Sequence, residues 1–173
     1  VSSAQPIQDR FIYAGRTVLA VWCPAPWRPE IALVRQCSGL CFDEAGHLLL
    51  VSGDGQHWAL PGGHLEPGEA LEDTLCREVR EEACARVGAM AYLGCQRIHE
   101  EADGQALPVY YQARFWARVV LDPFAPRHEI VQRRLVTPDQ AARLLGWGES
   151  PILAHLLSLT TGLERRAPRG GEG

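Results

Sequence analysis

Three glutamates, Glu78, Glu81 and Glu82, crowd into the stretch Arg77-Glu78-Val79-Arg80-Glu81-Glu82. On a helix of 3.6 residues per turn, Glu78 stands one turn from both Glu81 and Glu82, so the carboxylates share an arc of about 100°. Like charges at this spacing cost about 0.2–0.5 kcal/mol per pair on an isolated helix, and a cation would offset that cost. Hard carboxylate oxygens suit Mg²⁺ or Mn²⁺, which keep some of their water and share substrate phosphates. The chemistry this suggests is attack on a phosphate ester or anhydride. A blander reading is a solvated helix face, with Arg77 and Arg80 pairing to Asp73 and Glu81. It explains the helix but not the turn before it. Trp58-Ala59-Leu60-Pro61-Gly62-Gly63 is an apolar run ending in glycines, where backbone atoms can approach a ligand closely.

The elements around this stretch must hold it in place. Leu71, Leu75, Val79 and Ala83 recur at four-residue steps and form an apolar stripe beside the acids, so one side of the helix is expected to enter a core. Glu66-Pro67-Gly68-Glu69 reads as a turn and helix start. Strands are expected over 16–22, 31–42, 47–52, 88–99 and 108–121, with turns at Asp43-Glu44-Ala45-Gly46 and Asp103-Gly104. Helices are expected near 138–145, after the start signal Thr137-Pro138-Asp139, and near 151–159.

The segment Gly63 to Ala85 resembles the Nudix box, G-x5-E-x7-R-E-U-x-E-E-x-G-U, where U is aliphatic. Gly63, Glu69, Arg77, Glu78, Val79, Glu81 and Glu82 fall on the pattern in register. Cys84 stands where the family has glycine and Ala85 at the final aliphatic position. The glycine ordinarily ends the helix in a left-handed conformation, so the helix end is the feature the substitution puts at issue. The resemblance implies an α/β fold of the Nudix type: an α/β/α sandwich with a mixed sheet and one catalytic helix. It implies a Mg²⁺-dependent pyrophosphohydrolase, with Mn²⁺ able to substitute. The Gly62 carbonyl and Glu78, Glu81 and Glu82 are then metal ligands. Arg77 orients the neighbouring acids with Glu69 as its partner. The general base is a box glutamate or an acid on a later loop, for which Glu129 is the candidate, with an ordinary loop acid as the alternative.

Length and composition are those of one globular domain: 173 residues, 46% hydrophobic and 22% charged, with a formal charge of −4. The negative balance argues against a broad nucleic-acid or membrane surface, and no apolar run reaches the length of a membrane span. No secretory leader is evident, which points to a cytoplasmic location. The ordered core is expected over about 10–162, with residues 1–9 and 164–173 frayed. The six cysteines show no zinc or redox spacing and read as reduced, small hydrophobes. All 17 basic residues are Arg, so any phosphate clamp would be a guanidinium.

Alternation along 110–119 puts Tyr110, Gln112, Arg114, Trp116 and Arg118 on one face and Tyr111, Ala113, Phe115 and Ala117 on the other. Tyr110 and Arg114 are candidate substrate contacts on that strand, and Trp58 beside the turn is the best single aromatic candidate. His57 and His64 flank the site as polar lining. The substrate is expected to be a nucleotide-type small molecule, such as a nucleoside triphosphate or nucleotide sugar. Markers of specialised relatives are missing beyond the box, where Glu100, Glu101 and Ala102 stand instead of a tyrosine or proline. A nucleotide-sensing module without catalysis is the competing reading, disfavoured by the retained acids. An isoprenoid diphosphate isomerase is the third, disfavoured because Cys84 has no defined glutamate partner. Oligomeric state stays open.

Overall fold

The computed structural model describes residues 5–166. In chain order the elements are β1 (Gln8–Tyr13), β2 (Arg16–Pro24), a 3-10 turn (Ile31–Leu33), β3 (Val34–Phe42), β4 (Leu48–Ser52), β5 (Gly62–His64) and α1 (Leu71–Ala83). After α1 come β6 (Ala85–Ala102), β7 (Gln105–Ala106), β8 (Tyr110–Leu121), β9 (Gln132–Val136), α2 (Pro138–Leu144) and α3 (Pro151–Arg166). The strands form one mixed sheet in the order β1-β2-β6-β8-β3-β4-β9, with β5 added beside β3 and β7 beside β6. β3 runs parallel to β8, and the other pairings are antiparallel.

Both faces of the sheet are covered, because its middle strands are apolar on both sides. Leu49 and Val51 of β4, with Ala113, Phe115 and Ala117 of β8, join Leu71, Leu75, Val79 and Ala83 of α1 in one core. Leu48 and Leu50, with Trp116, face the other way and pack with Ala141 of α2 and Ile152, Leu153 and Leu156 of α3. This is the expected three-layer arrangement, and the alternation read along β8 separates the two cores. Close approach of α1 needs a small residue beneath it: a Cβ added at Gly39 would lie 2.9 Å from Leu75. No described helix is long and apolar enough to cross a membrane.

Turn and cap chemistry fixes the ends. Asp103 and Gly104 both have positive φ and join β6 to β7 as a two-residue hairpin. Thr137 and Gln140 form a reciprocal capping box at the start of α2.

Several boundaries differ from the sequence expectation. Ile31 and Leu33 are exposed and take a 3-10 turn, so the third strand begins only at Val34, the first buried residue there. β6 begins at Ala85, directly after the helix, rather than at Gly88. The expected fraying does not extend to residues 8–9 or 164–166. Gln8 and Asp9 belong to β1, and the Asp9 carboxylate accepts from the Ser150 hydroxyl and from the Ile152 amide (3.4 Å) at the start of α3. Glu164 accepts from Trp116 Nε1 at 2.8 Å and pairs with Arg118 at 3.0 Å. The rest of the expected tail, 167–173, and residues 1–4 lie outside the described residues.

Candidate active site

The glycine turn and the acidic helix meet because β5 is laid against β3. Ser38 pairs with Gly62, Cys37 with Gly63, and the Gly39 amide donates to the Pro61 carbonyl at 3.0 Å. Gly62 has φ 153°, and a Cβ there would lie 2.3 Å from the Cys37 carbonyl oxygen, so no larger residue fits. At Gly63 an added Cβ would lie 2.3 Å from Glu78 Oε1. The turn thus forms a shallow cradle over the helix, with carboxylate oxygen as its nearest neighbour.

Arg77 is the hub of the acids. Its Nε donates to Glu69 Oε1 at 2.7 Å and its Nη2 to Glu69 Oε2 at 3.0 Å, a two-pronged contact. Nη1 reaches Glu78 at 2.9 Å and Glu81 at 3.3 Å, and Nη2 also donates to the His64 carbonyl at 2.9 Å. Glu69 in turn accepts from the Thr74 hydroxyl and the Glu66 amide. The Arg77 contacts, helped by the Glu66 amide, hold the Glu69 carboxyl down at about 2. Arg77 is shifted upward by the same partners.

Glu82 lies apart from that hub. Its Oε2 accepts the Gly62 amide at 2.9 Å. Burial pushes its carboxyl up to about 7 against the pull of that amide, and Glu78, Glu81 and Glu129 push in the same direction. Glu129 is therefore close enough for its charge to act on Glu82. Its loop passes Gly53, where an added Cβ would lie 3.3 Å from the Glu129 carbonyl, and the Val131 amide donates to the Ser52 carbonyl.

The helix end is reached without glycine. Cys84 itself adopts φ 48° and ψ 51°, the left-handed conformation the family gives to Gly. Arg133 of β9 supplies the compensation. Its Nη1 donates to the carbonyls of Ala83 (2.6 Å) and Cys84 (2.8 Å), and its Nη2 to that of Asp122 (2.6 Å). A cation at the negative end of the helix dipole is favourable. Neither Arg133 nor Thr74 stands out in the sequence: one lies about 50 residues from the helix end it caps, and the other is one of many hydroxyls.

The remaining candidates are dispersed. Trp58 is half-buried against the core on the α2–α3 side, with the Arg134 guanidinium 6.0 Å above its ring. His57 pairs with Asp54 at 2.6 Å, which raises the imidazole above its ordinary value, and both are well exposed. Tyr110 sits farther along β8; its hydroxyl donates to Glu100 at 2.7 Å, and Arg35 covers its ring at 4.2 Å. Arg114 is buried in register with Ser38.

Among the described residues, no three His, Cys, Asp or Glu side chains already converge on one point. Glu78 and Glu81 turn to Arg77 and Glu82 to Gly62. The donor set nevertheless fits a hard divalent cation. Three helix carboxylates and a glycine turn lie together, and among the described residues Arg77 is the one guanidinium that pairs with Glu78 and Glu81.

Comparison with known proteins agrees with the fold and the box. The family model for the NUDIX domain matches residues 33–156, and the chain belongs to that family. The nucleoside triphosphatase NudI of an Enterobacter species is 41% identical over 58 residues, 31% of this chain and 41% of that protein. The asymmetrical bis(5′-nucleosyl)-tetraphosphatase of Sus scrofa is 31% identical over 118 residues, 68% of this chain and 75% of that protein. Among solved structures, a mutant of the Bacillus subtilis pyrophosphohydrolase BsRppH superposes with a TM-score of 0.64 at 21% identity, covering 89% of this chain and 98% of that one. At that identity the likeness is one of fold.

Proposed function

We propose that the chain is a divalent-metal-dependent hydrolase of a phosphoanhydride bond, acting on a nucleoside diphosphate linked to another group. The observation that carries this reading is Glu82: half-buried, held by the Gly62 amide, and crowded by Glu78, Glu81 and Glu129. Acid in this position is held ready for a cation. The named activities of the relatives, a nucleoside triphosphatase and a dinucleoside tetraphosphatase, support the substrate class.

In this reading the Gly62 carbonyl with Glu78, Glu81 and Glu82 would hold Mg²⁺, or Mn²⁺ in its place. The ion would neutralise charge on the diphosphate oxygens and acidify a bound water. Arg77 orients Glu78 and Glu81 from its anchor on Glu69. Glu129 on its loop, or a box glutamate, takes the proton of the attacking water. Trp58, Arg114 and Tyr110 are the proposed substrate contacts. The test is turnover of a nucleotide panel with Mg²⁺ and Mn²⁺, with products made in ¹⁸O-labelled water weighed by mass spectrometry. Glu82→Gln should lower kcat about 100-fold or more, the usual cost of losing one electrostatic stabiliser. Undiminished turnover in a folded variant would remove the proposal.

A further inference from the structure

Three cysteines stand in one row across the sheet, on the face that α1 covers. Cys37 of β3 is the partner of Ala113 of β8, Ala113 is the partner of Cys95 of β6, and Cys95 is the partner of Cys23 of β2. The Ala25 amide donates to the Leu93 carbonyl at 3.0 Å. Hydrogen-bonded and open pairs alternate along an antiparallel ladder, so Cys23 and Cys95, two residues on, also form a hydrogen-bonded pair. Their Cα atoms are then about 5.5 Å apart, inside the roughly 4.4–6.8 Å window of a disulfide. Cys37 lies two strand spacings from Cys95, about 10 Å, and outside that window. The two backbones approach closely here: a Cβ on Gly94, which has φ 140°, would collide with the Cys23 carbonyl oxygen. Both thiols are free, and they lie within hydrogen-bonding reach of one another.

The two sulfurs are not equivalent. Cys23 is partly exposed, whereas Cys95 is fully buried. Burial pushes the Cys95 thiol up to about 11, and the Tyr92 hydroxyl beside it pulls the other way. That hydroxyl is enclosed with no well-formed hydrogen bond, which is costly while Cys95 keeps its proton. Loss of that proton supplies a thiolate acceptor for it. Burial also holds the phenol protonated, so it remains a donor. The Tyr92 ring is packed from two sides. Phe115 meets it edge-on at 5.4 Å, and the Arg28 guanidinium covers it at 4.3 Å from an anchor on Glu72 of α1 at 2.6 Å.

We infer that Cys23 and Cys95 form a thiol–disulfide exchange site, which closes a cross-strand disulfide when a small disulfide such as oxidised glutathione reaches Cys23. The Cys23 thiolate attacks one sulfur of the oxidant, forming a mixed disulfide and expelling one thiolate, which takes up a proton. Cys95 then releases its proton, and its thiolate, steadied by the Tyr92 hydroxyl, attacks the Cys23 sulfur and expels the second small thiol. Two protein thiols lose two electrons and two protons, and one small disulfide becomes two thiols. None of these residues is a proposed metal ligand, and the site does not depend on the hydrolase reading.

The test is mass spectrometry of the full native chain after incubation with oxidised glutathione and an alkylating quench. The chain should lose two hydrogens, yield one linked peptide pair containing Cys23 and Cys95, leave four of its six cysteines open to alkylation after unfolding, and return to the starting mass with dithiothreitol. Cys95→Ala should stop with one glutathione on Cys23. Tyr92→Phe should close about threefold more slowly, because an about tenfold loss of Cys95 thiolate is partly offset by the greater nucleophilicity of the more basic sulfur. No linkage, a bond joining other cysteines, or wild type stalled at the mixed disulfide would overturn the inference. Equal closure rates in wild type and Tyr92→Phe would overturn the part given to Tyr92. The linkage is read on wild type, so a misfolded variant does not blunt it.

Discussion

Glu82 gives the proposal a thermodynamic signature that does not require a substrate. Its carboxyl titrates at about 4.5 in the unfolded chain and at about 7 in the folded, metal-free one, chiefly through burial. Between these values the native state holds a proton that the unfolded state has released, so the stability it supports is complete below about 4.5. That stability is lost as pH rises through 7. At about 1.4 kcal/mol per tenfold change, the full difference corresponds to about 3 kcal/mol, and solvent reaching the half-buried group brings it nearer 2 kcal/mol. Glu82→Gln cannot ionise, and its amide oxygen can still accept from the Gly62 amide. Urea unfolding in chelator from pH 5 to pH 8 should show wild type losing about 2 kcal/mol more than the variant. Adding Mg²⁺ at pH 8 should restore wild type and leave Glu82→Gln little changed. Parallel pH dependences for the two proteins would refute the claim that Glu82 is enclosed and crowded by acids.

Two other perturbations probe the frame around it. Gly63→Ala places a methyl on Glu78 Oε1; because that carboxylate can swing aside, unfolding should change by less than about 1 kcal/mol while kcat falls about 10–100-fold, the cost of misplacing a group by about 1 Å. Arg133→Met removes two hydrogen bonds from the end of α1 and one from the Asp122 carbonyl and should destabilise by about 2–3 kcal/mol in urea. Adding Cys84→Gly should return about 1 kcal/mol by relieving the left-handed residue, and a double variant no more stable than Arg133→Met would remove that account.

The box helix was legible because its signals are local. The apolar stripe from Leu71 to Ala83, the Pro67-Gly68 turn and the spacing of Glu69, Arg77, Glu78, Glu81 and Glu82 lie within one short segment. The family they resemble supplied the three-layer fold, which the NUDIX match bears out. Alternation along β8 likewise divided its residues between the two cores. Boundaries fared less well at Ile31 and at the termini, where exposure and a long-range cap decided the outcome. Asp9 is ordered by α3, and Glu164 by Trp116 and Arg118.

By itself the sequence determined which residues carry charge, which are apolar and at what period, and hence that one acidic helix would lie against a sheet. Tertiary structure alone decided that Arg133 would stand in for the missing glycine, that Glu82 would turn to Gly62 while its neighbours turn to Arg77, and that Gln96 Oε1 and Arg114 Nε would be enclosed without a partner. The reason is physical. Periodicity and propensity act over a few residues, whereas burial, hydrogen-bond partners and electrostatic crowding depend on which distant segments the sheet register brings side by side.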